Sequence, residues 1–221
     1  MAMQGSFSST SSSSSSSQQS SLAIISKSDL NLKSEELSKM IRRAFNDRFI
    51  HSTRNSPSLS MVFSGSSKEE MDQVATSLCK HMGENCTEYM KAPTSEELFE
   101  AIERVVVFHQ EQHQQKPHQA KSPHLFVFHD FGGLKGIENE LCLLLNDGNN
   151  FSEIPSSSAG KKLIPVDHHR LGYVFVHQQR DPMKLRQASS MDERIEIVRK
   201  ELLDESMHRL AQRFRDLIPF A

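Results

Sequence analysis

The stretch Ser58–Met82, SLSMVFSGSSKEEMDQVATSLCKHM, decides the fold of this chain. It begins with an apolar run of strand length, Leu59–Phe63, followed by the small polar turn Ser64–Ser67, which contains Gly65. Apolar residues then recur at helical spacing: Met71, Val74, Ala75, Leu78 and Met82. The order of strand, tight loop and helix predicts an α/β protein built from such units.

The same stretch has the frame of a phosphate-binding loop. In such a loop, backbone N–H groups at a helix N-terminus hold phosphate oxygens, and a Lys and a Ser/Thr hold the outer phosphate and its Mg²⁺. If Gly65 is the first glycine of G-x-x-x-x-G-K-[ST], the last three positions are Glu70, Met71 and Asp72, and Lys68 lies inside the motif. Two carboxylates and a missing lysine disfavour triphosphate. The sequence therefore predicts a nucleotide-binding fold that has lost its nucleotide, with no cofactor.

Composition sets the domain organisation. The chain has 221 residues and a formal net charge of -2, so it offers no basic field for nucleic acid. Residues 1–28 are rich in Ser and Gln and are expected to stay disordered, whereas residues 29–221 suffice for one domain. The sequence has no apolar run of eighteen residues, so we find no signal or transmembrane segment in it.

The rest of the chain alternates between strands and helices. This pattern predicts a three-layer parallel sheet with helices on both faces, and ligands of such sheets bind at the carboxyl ends of the strands. The loops expected there are Gly65–Lys68, His129–Gly133 and His177–Arg180. The other predicted elements are a helix over Asp29–Arg48, a strand over Cys86–Met90, a helix from Thr94, a strand over His124–Phe131, a helix over Ile137–Leu145, a loop over Asn149–Lys162, a strand over Leu171–Val176, a helical region over Met191–Arg215 broken near Asp204–Ser206, and a strand over Leu217–Ala221.

Histidines and cysteines offer further chemistry. The tract His109–Lys121 is rich in His and Gln and is interpreted as a solvated loop or frayed helix end. A metal cluster of His129, His168, His169 and His177 is disfavoured because no ligand pair lies on one element, so no metal is expected. For the three cysteines, Cys79, Cys86 and Cys142, buried thiols are favoured, and a Cys79–Cys86 disulfide is the alternative in an oxidising compartment.

An ATPase of this type needs a second motif, a hydrophobic strand that ends in an acid for Mg²⁺. Here the strand is Leu125–Phe128, and the positions after it are His129 and Asp130. Imidazole is a poor Mg²⁺ ligand, because Mg²⁺ prefers oxygen donors. The second motif is therefore also degenerate, although Asp130 is a candidate for the metal-binding role.

Over residues 29–221 the order of parts resembles an AAA+ module of the Clp/torsin branch. Pro123–Gly148 resembles that branch's Walker B strand and following helix, and Pro165–Val176 resembles the approach to its sensor-1 strand, with the sensor near His177 or Gln178. Gln212–Phe220, QRFRDLIPF, is similar to the box that carries the arginine finger, with Arg213 at the finger position. The printed sequence ends where the small lid domain would begin, so we expect a P-loop/AAA+-like large domain without the lid.

Three departures from that branch are Met71 at the Walker A lysine, His129 at the Walker B aspartate, and the lid domain that this sequence does not include. Together with Arg213, this pattern resembles the torsin activators, the lumenal domains of the lamina-associated polypeptide and torsin-interacting protein family. The resemblance implies a nucleotide-free, non-catalytic domain that binds a torsin-type AAA+ ATPase as a hetero-oligomer and supplies Arg213 in trans. It also implies the lumen of the endoplasmic reticulum or nuclear envelope, with membrane attachment only through an anchor that this sequence does not contain. The alternatives are a degenerate ATPase that keeps nucleotide binding through Asp130, and a plain protein-interaction domain.

Overall fold

The computed structural model describes residues 24–51, 58–115, 122–145, 151–156, 163–205 and 207–221. The strands are β1 (Leu59–Gly65), β2 (Cys86–Tyr89), β3 (His124–Phe128), β4 (Phe151–Pro155), β5 (Leu163–Asp167), β6 (Leu171–Gln178) and β7 (Asp216–Phe220). The helices are α1 (Lys27–Leu30), α2 (Glu35–Arg42), α3 (Lys68–Met82), α4 (Ser95–Gln115), α5 (Glu138–Leu144), α6 (Pro182–Gln187), α7 (Met191–Asp204) and α8 (His208–Ala211). A π-helical segment, Arg43–Ile50, continues α2.

Five strands form one sheet in the order β2-β3-β6-β1-β7. All four strand pairings are parallel. The strands β1 and β3 are buried along their whole length, as expected for apolar runs without alternation that are covered on both faces. Stacked rings join β3 to β6, with Phe126 opposite Tyr173 and Phe128 opposite Phe175. The predicted parallel α/β sheet is confirmed.

Helices cover the sheet on both sides, because successive side chains of a strand point to opposite faces. Met61 and Phe63 of β1 pack in a core with α2 and α3, whereas Val62 packs in a second core with α4, α5 and α7. The α3 residues of the first core include Met71, Val74, Ala75, Leu78 and Met82. The helical spacing in Ser58–Met82 therefore marks the face that α3 buries against the sheet.

The N-terminal helical region is divided, and the packed structure begins before residue 29. Asn31, with a left-handed φ of 48°, ends α1, and the Ser34 hydroxyl caps α2 by accepting from the Leu37 N–H, 3.3 Å away. Ile25 is 1% exposed, and its N–H and C=O both bond to the Asn46 side chain, at 2.9 and 3.0 Å. Residues 1–23 of the predicted tail lie outside the described residues.

The helix α4 extends into the His- and Gln-rich tract. It starts as predicted, with the Thr94 hydroxyl accepting from the Glu97 N–H at 3.2 Å and the Glu97 carboxylate accepting from the Thr94 N–H at 2.7 Å. It then continues to Gln115, so the described part of the tract interpreted as a solvated loop or frayed helix end is the end of this helix. His109 is 6% exposed, which explains the continued helix there. No helix among the described residues is both long and apolar enough to cross a membrane.

The segment predicted as a Ser/Gly loop, Asn149–Lys162, contains a strand. β4 pairs with β5 in an antiparallel ladder that places Ile154 opposite Ile164. Ile154 and Val166 are both fully buried against the core on the α4 side of the sheet. The prediction failed because one buried residue per strand gives no visible alternation within a Ser-rich sequence.

The structure contains a disulfide between Cys79, near the end of α3, and Cys86, the first residue of β2. The Cα atoms are 5.3 Å apart, a normal separation for a disulfide. Cys142 is a buried free thiol. The expectation of buried thiols thus holds for Cys142, whereas Cys79 and Cys86 form the disulfide that was the alternative. They meet because the turn after α3 returns the chain directly to the edge of the sheet.

Gly65 is required where β1 approaches the last strand. A Cβ at this position would lie 2.6 Å from the Phe220 Cβ and closer still to the Phe220 carbonyl oxygen. Because backbone atoms of a buried strand cannot move aside, we expect Gly65→Ala to lower the free energy of unfolding by about 2–4 kcal/mol. Gly136→Ala is the matched control, since its Cβ would meet nothing within 4 Å. Equal urea denaturation midpoints for the two variants would contradict this prediction.

Candidate functional site

The carboxyl ends of β3, β6 and β1 form one edge of the sheet, because these strands are neighbours and run parallel. Ser64 pairs with His177 and Gly65 with Gln178 in the register of β1 and β6. The Gln179 N–H then donates to the Gly65 carbonyl at 2.9 Å. The structure therefore brings together the three loops predicted from sequence, at the edge where α/β proteins bind ligands.

The loop in the Walker A position is short. Only Ser66 and Ser67 separate β1 from α3, and the Ser67 hydroxyl accepts from the Glu70 N–H at 3.2 Å. Glu70, Met71 and Asp72 thus lie inside the first turns of the helix instead of in a loop. Met71, at the lysine position, is fully buried in the core. A phosphate would find one capped helix end here, without a lysine and without a loop long enough to surround it.

A polar network of side chains lies at this edge. The Lys68 ammonium lies 2.7 Å from one Asp72 oxygen, and His129 Nδ1 lies 2.6 Å from the other. His129 Nε2 lies 2.7 Å from a Glu88 oxygen, which also accepts from the Thr76 hydroxyl at 2.8 Å. The His129 side chain is fully buried between the two carboxylates. Both acids are therefore paired within the protein.

Asp130, the candidate acid of the Walker B position, serves the turn that follows β3. One of its carboxylate oxygens accepts from the Gly133 N–H at 3.2 Å. A Cβ on Gly133 would lie 2.7 Å from the Ala92 Cβ, so the turn packs tightly against the preceding loop. Asp130 is half-buried and acts as the cap of this turn, while His129 occupies the position that enters the polar network.

His177, at the predicted sensor position, lies in a second polar cluster. Its Nδ1 is 2.9 Å from the Ser64 hydroxyl, and its Nε2 is 3.2 Å from a Glu205 oxygen. The same Glu205 oxygen is 3.1 Å from Nε of Arg180, whose backbone N–H donates to Glu201 at 2.6 Å. The cluster joins the end of β6 to the C-terminal part of α7.

Arg213 lies at the opposite edge of the sheet, in the turn between α8 and β7. Its N–H donates to the Leu210 carbonyl at 2.9 Å, and its own carbonyl accepts from the Ser60 hydroxyl at 3.3 Å. Burial raises the pKa of the Cys142 thiol, and the Arg213 guanidinium beside that thiol offsets part of the rise. The half-buried Arg213 side chain thus lies beside α5, and its backbone is bonded to β1, away from the Gly65 edge.

The histidines do not form the single cluster weighed from sequence. His168 lies before β6, at the opposite end of that strand from His177, and burial lowers the pKa of His168 to about 4. Burial likewise lowers the pKa of His124 to about 4, and its Nε2 is 2.9 Å from the Thr87 hydroxyl. The His169 side chain lies outside what the structure describes.

Sequence reasoning missed the carboxylates that meet the two site histidines. Glu88 comes from β2, and Glu201 and Glu205 come from the end of α7. The i, i+4 spacing of Glu201 and Glu205, which places both on one helix face, was the available signal. Nothing in the sequence indicated that this face meets the end of β6.

The fold and this edge define a three-layer α/β protein with a five-stranded parallel sheet whose carboxyl edge carries paired polar side chains. No known family model matches the chain, and no curated protein matches it either.

Proposed function

We propose that this chain is a non-catalytic AAA+-like activator of a torsin-type ATPase, to which it supplies Arg213 as an arginine finger. The observation that carries the proposal is the network of Lys68, Asp72, His129 and Glu88, in which residues of the two degenerate motifs are paired with each other. A site closed in this way has no use for its own triphosphate. The proposed role of the chain is therefore to act on a nucleotide that a partner ATPase binds.

The sheet supports the AAA+-like assignment. β6, the strand that resembles the sensor-1 strand, lies between β1 and β3, the strands of the two degenerate motifs. This order aligns all three motif positions at one edge, where an active relative would hold nucleotide. The polar contacts between Ser64 and His177 and between Asp72 and His129 show how the edge is filled by side chains in this chain.

The position of Arg213 supports action in trans. A group at the amino edge of the sheet is remote from the carboxyl edge of its own chain, so a role for Arg213 in hydrolysis would concern a nucleotide held by another subunit. A guanidinium placed against the γ-phosphate neutralises charge that develops during phosphoryl transfer. The backbone bonds to Leu210 and Ser60 give that side chain a rigid base. The donor needs no nucleotide site of its own for this role.

The proposed compartment is the lumen of the endoplasmic reticulum or nuclear envelope. The Cys79–Cys86 disulfide supports it, because disulfides persist in oxidising compartments and are rare in the cytosol. The proposed partner is a torsin-type ATPase in a hetero-oligomer, and membrane attachment would come through an anchor outside this sequence.

The direct test mixes this chain with a purified torsin-type ATPase. We expect the rate of ATP hydrolysis to rise and to saturate as this chain is added, because each partner nucleotide needs one donated guanidinium. Serum albumin at equal mass serves as the control. A partner rate that does not change at saturating concentrations, with complex formation shown by gel filtration, would leave only the plain interaction domain.

The alternative, a degenerate ATPase, is favoured by the retained frame of strand, turn and helix at Gly65. Calorimetric titration with Mg·ATP separates it from the proposal. We expect no heat of binding at micromolar nucleotide, because Met71 is buried, Lys68 is paired to Asp72, and Glu69 and Glu70 lie at the same helix end. Micromolar affinity would favour the degenerate ATPase over the activator.

A further inference from the structure

The cluster at the end of β6 has the composition of a metal site. His177, Glu201 and Glu205 each offer one ligand atom, and these atoms lie within 4.8 Å of one another. One imidazole nitrogen with two carboxylate oxygens is a donor set that Zn²⁺ accepts, with ligand bonds of about 2.0–2.2 Å and a further position open to water. Two ligands of a tetrahedral ion with such bonds lie about 3.3–3.6 Å apart, so the more distant ligand atoms of the cluster would move closer by up to about 1.5 Å.

The imidazole nitrogen is poorly satisfied by the protein. The His177 side chain is 3% exposed, and Glu205 Oε1 approaches its Nε2 at 3.2 Å. That approach lacks hydrogen-bond alignment, and Nε2 has no hydrogen-bond partner among the described residues. Buried polar atoms are normally satisfied, so an atom of this kind calls for an explanation. A ligand at Nε2 would supply the missing interaction.

The second ring nitrogen is already fixed. Ser64 Oγ lies 2.9 Å from His177 Nδ1, and Ser64 is fully buried. When Nδ1–H donates to the hydroxyl, Nε2 carries the lone pair that faces Glu205. Histidine ligands of metals are commonly held in this way, with the other nitrogen bonded to an oxygen that sets the tautomer and the ring orientation.

A protein cation contacts one of the two carboxylates of the cluster. The Arg180 guanidinium lies 3.1 Å from Glu205 Oε1, the same oxygen that faces His177. The Arg180 side chain is 66% exposed, whereas that of Glu205 is 10% exposed. Because the Arg180 side chain is largely exposed, its guanidinium can turn into water when a metal takes its place beside the buried Glu205 carboxylate.

We propose that His177 Nε2, Glu201 and Glu205 bind a divalent transition metal of the zinc class, and that Arg180 occupies the carboxylates in competition with it. The metal would tie the end of β6 to the C-terminal part of α7, just before α8 and the turn that carries Arg213. The proposal does not depend on the proposed function, because the site involves neither Arg213 nor a partner.

The test is calorimetric titration of the purified chain with Zn²⁺ alone. We expect one site per chain, and we expect His177→Gln and Glu205→Gln to weaken binding by at least about 10–100-fold. Arg180→Ala is expected to tighten it, because the competing cation is removed. Thermal unfolding with and without Zn²⁺ should show a metal-dependent rise in Tm for the unmodified chain and for Arg180→Ala.

Two control variants separate this site from unspecific surface binding. His208→Gln makes the same change at an exposed histidine, and Glu196→Gln makes it at an exposed acid of α7. Both should bind Zn²⁺ as the unmodified chain does. Absence of binding to the unmodified chain, or an affinity that Arg180→Ala fails to raise and that falls equally in the controls, would overturn the proposal. The Arg180 variant keeps the test decisive even if a buried substitution fails to fold.

Discussion

Under the proposed function, replacing Arg213 by alanine is expected to abolish stimulation of the torsin-type ATPase while leaving the complex intact. Arginine fingers supplied in trans accelerate hydrolysis by roughly 10³–10⁵ in nucleotide-hydrolysing enzymes, so the variant should return the partner close to its basal rate. The loss arises because alanine leaves the developing charge on the γ-phosphate without a counter-charge. The measurement is partner ATP turnover at saturating activator, with affinity measured separately.

Arg215→Ala is the matched control for this experiment. Arg215 is exposed in the same turn, two residues further along the chain, and its backbone N–H donates to the Ser60 hydroxyl at 3.1 Å. The substitution removes an equal charge but leaves that backbone contact, so most of the stimulation should remain. Arg213→Lys should stay strongly impaired, because an ammonium lacks the planar fork that matches phosphate oxygens. Equal loss in Arg213→Ala and Arg215→Ala would indicate general electrostatics in place of a finger.

Replacing His129 by leucine is expected to destabilise the fold by about 2–4 kcal/mol, because it removes the donor between two acids. The Asp72 and Glu88 side chains are 25% and 30% exposed, so water recovers part of their lost interaction, and the figure is below that for fully buried pairs. Leucine fills much of the ring volume, which keeps any cavity small. Urea denaturation at neutral pH gives the free energy of unfolding.

A charge-removing background tests the cause of that loss. In Asp72→Asn/Glu88→Gln, the His129→Leu substitution should cost clearly less than in the unmodified chain, because the two like charges are gone. If the cost is the same in both backgrounds, the effect comes from packing and the network does not neutralise the edge. His81→Leu, at a half-buried position on α3, is a further control for the substitution itself.

Much of the architecture was readable because it depends on local patterns. Ser58–Met82 predicted β1, the turn and α3, since an apolar run and a 3.6-residue period are visible within a few residues. The breaks near Asp204 and after Met82 were visible for the same reason, as was the Thr94 cap. The antiparallel pair of β4 and β5 was not predicted from the sequence. Its stability comes from the packing of Ile154 and Val166 on a core that is distant in sequence, and no local pattern indicates that contact.

Some residues of the candidate site were also predictable from the sequence, and others were not. His129, His177 and Asp72 were identified because each follows a strand or begins a helix at an edge that the fold class defines. Their partners were not, because Glu88, Glu201 and Glu205 come from segments far away in sequence. A single sequence does not indicate which acid contacts which histidine when the two are far apart along the chain.

The sequence by itself determined the class of fold, since strand runs and helical periods are local properties of the chain. Only the tertiary structure decided how the carboxyl edge is filled, with Asp72 and Glu88 on His129 and with Glu201 and Glu205 near His177. It also decided that Arg213 faces away from that edge. These outcomes depend on the order in which parallel strands assemble, and that order is set by packing across the whole core and not by any one segment.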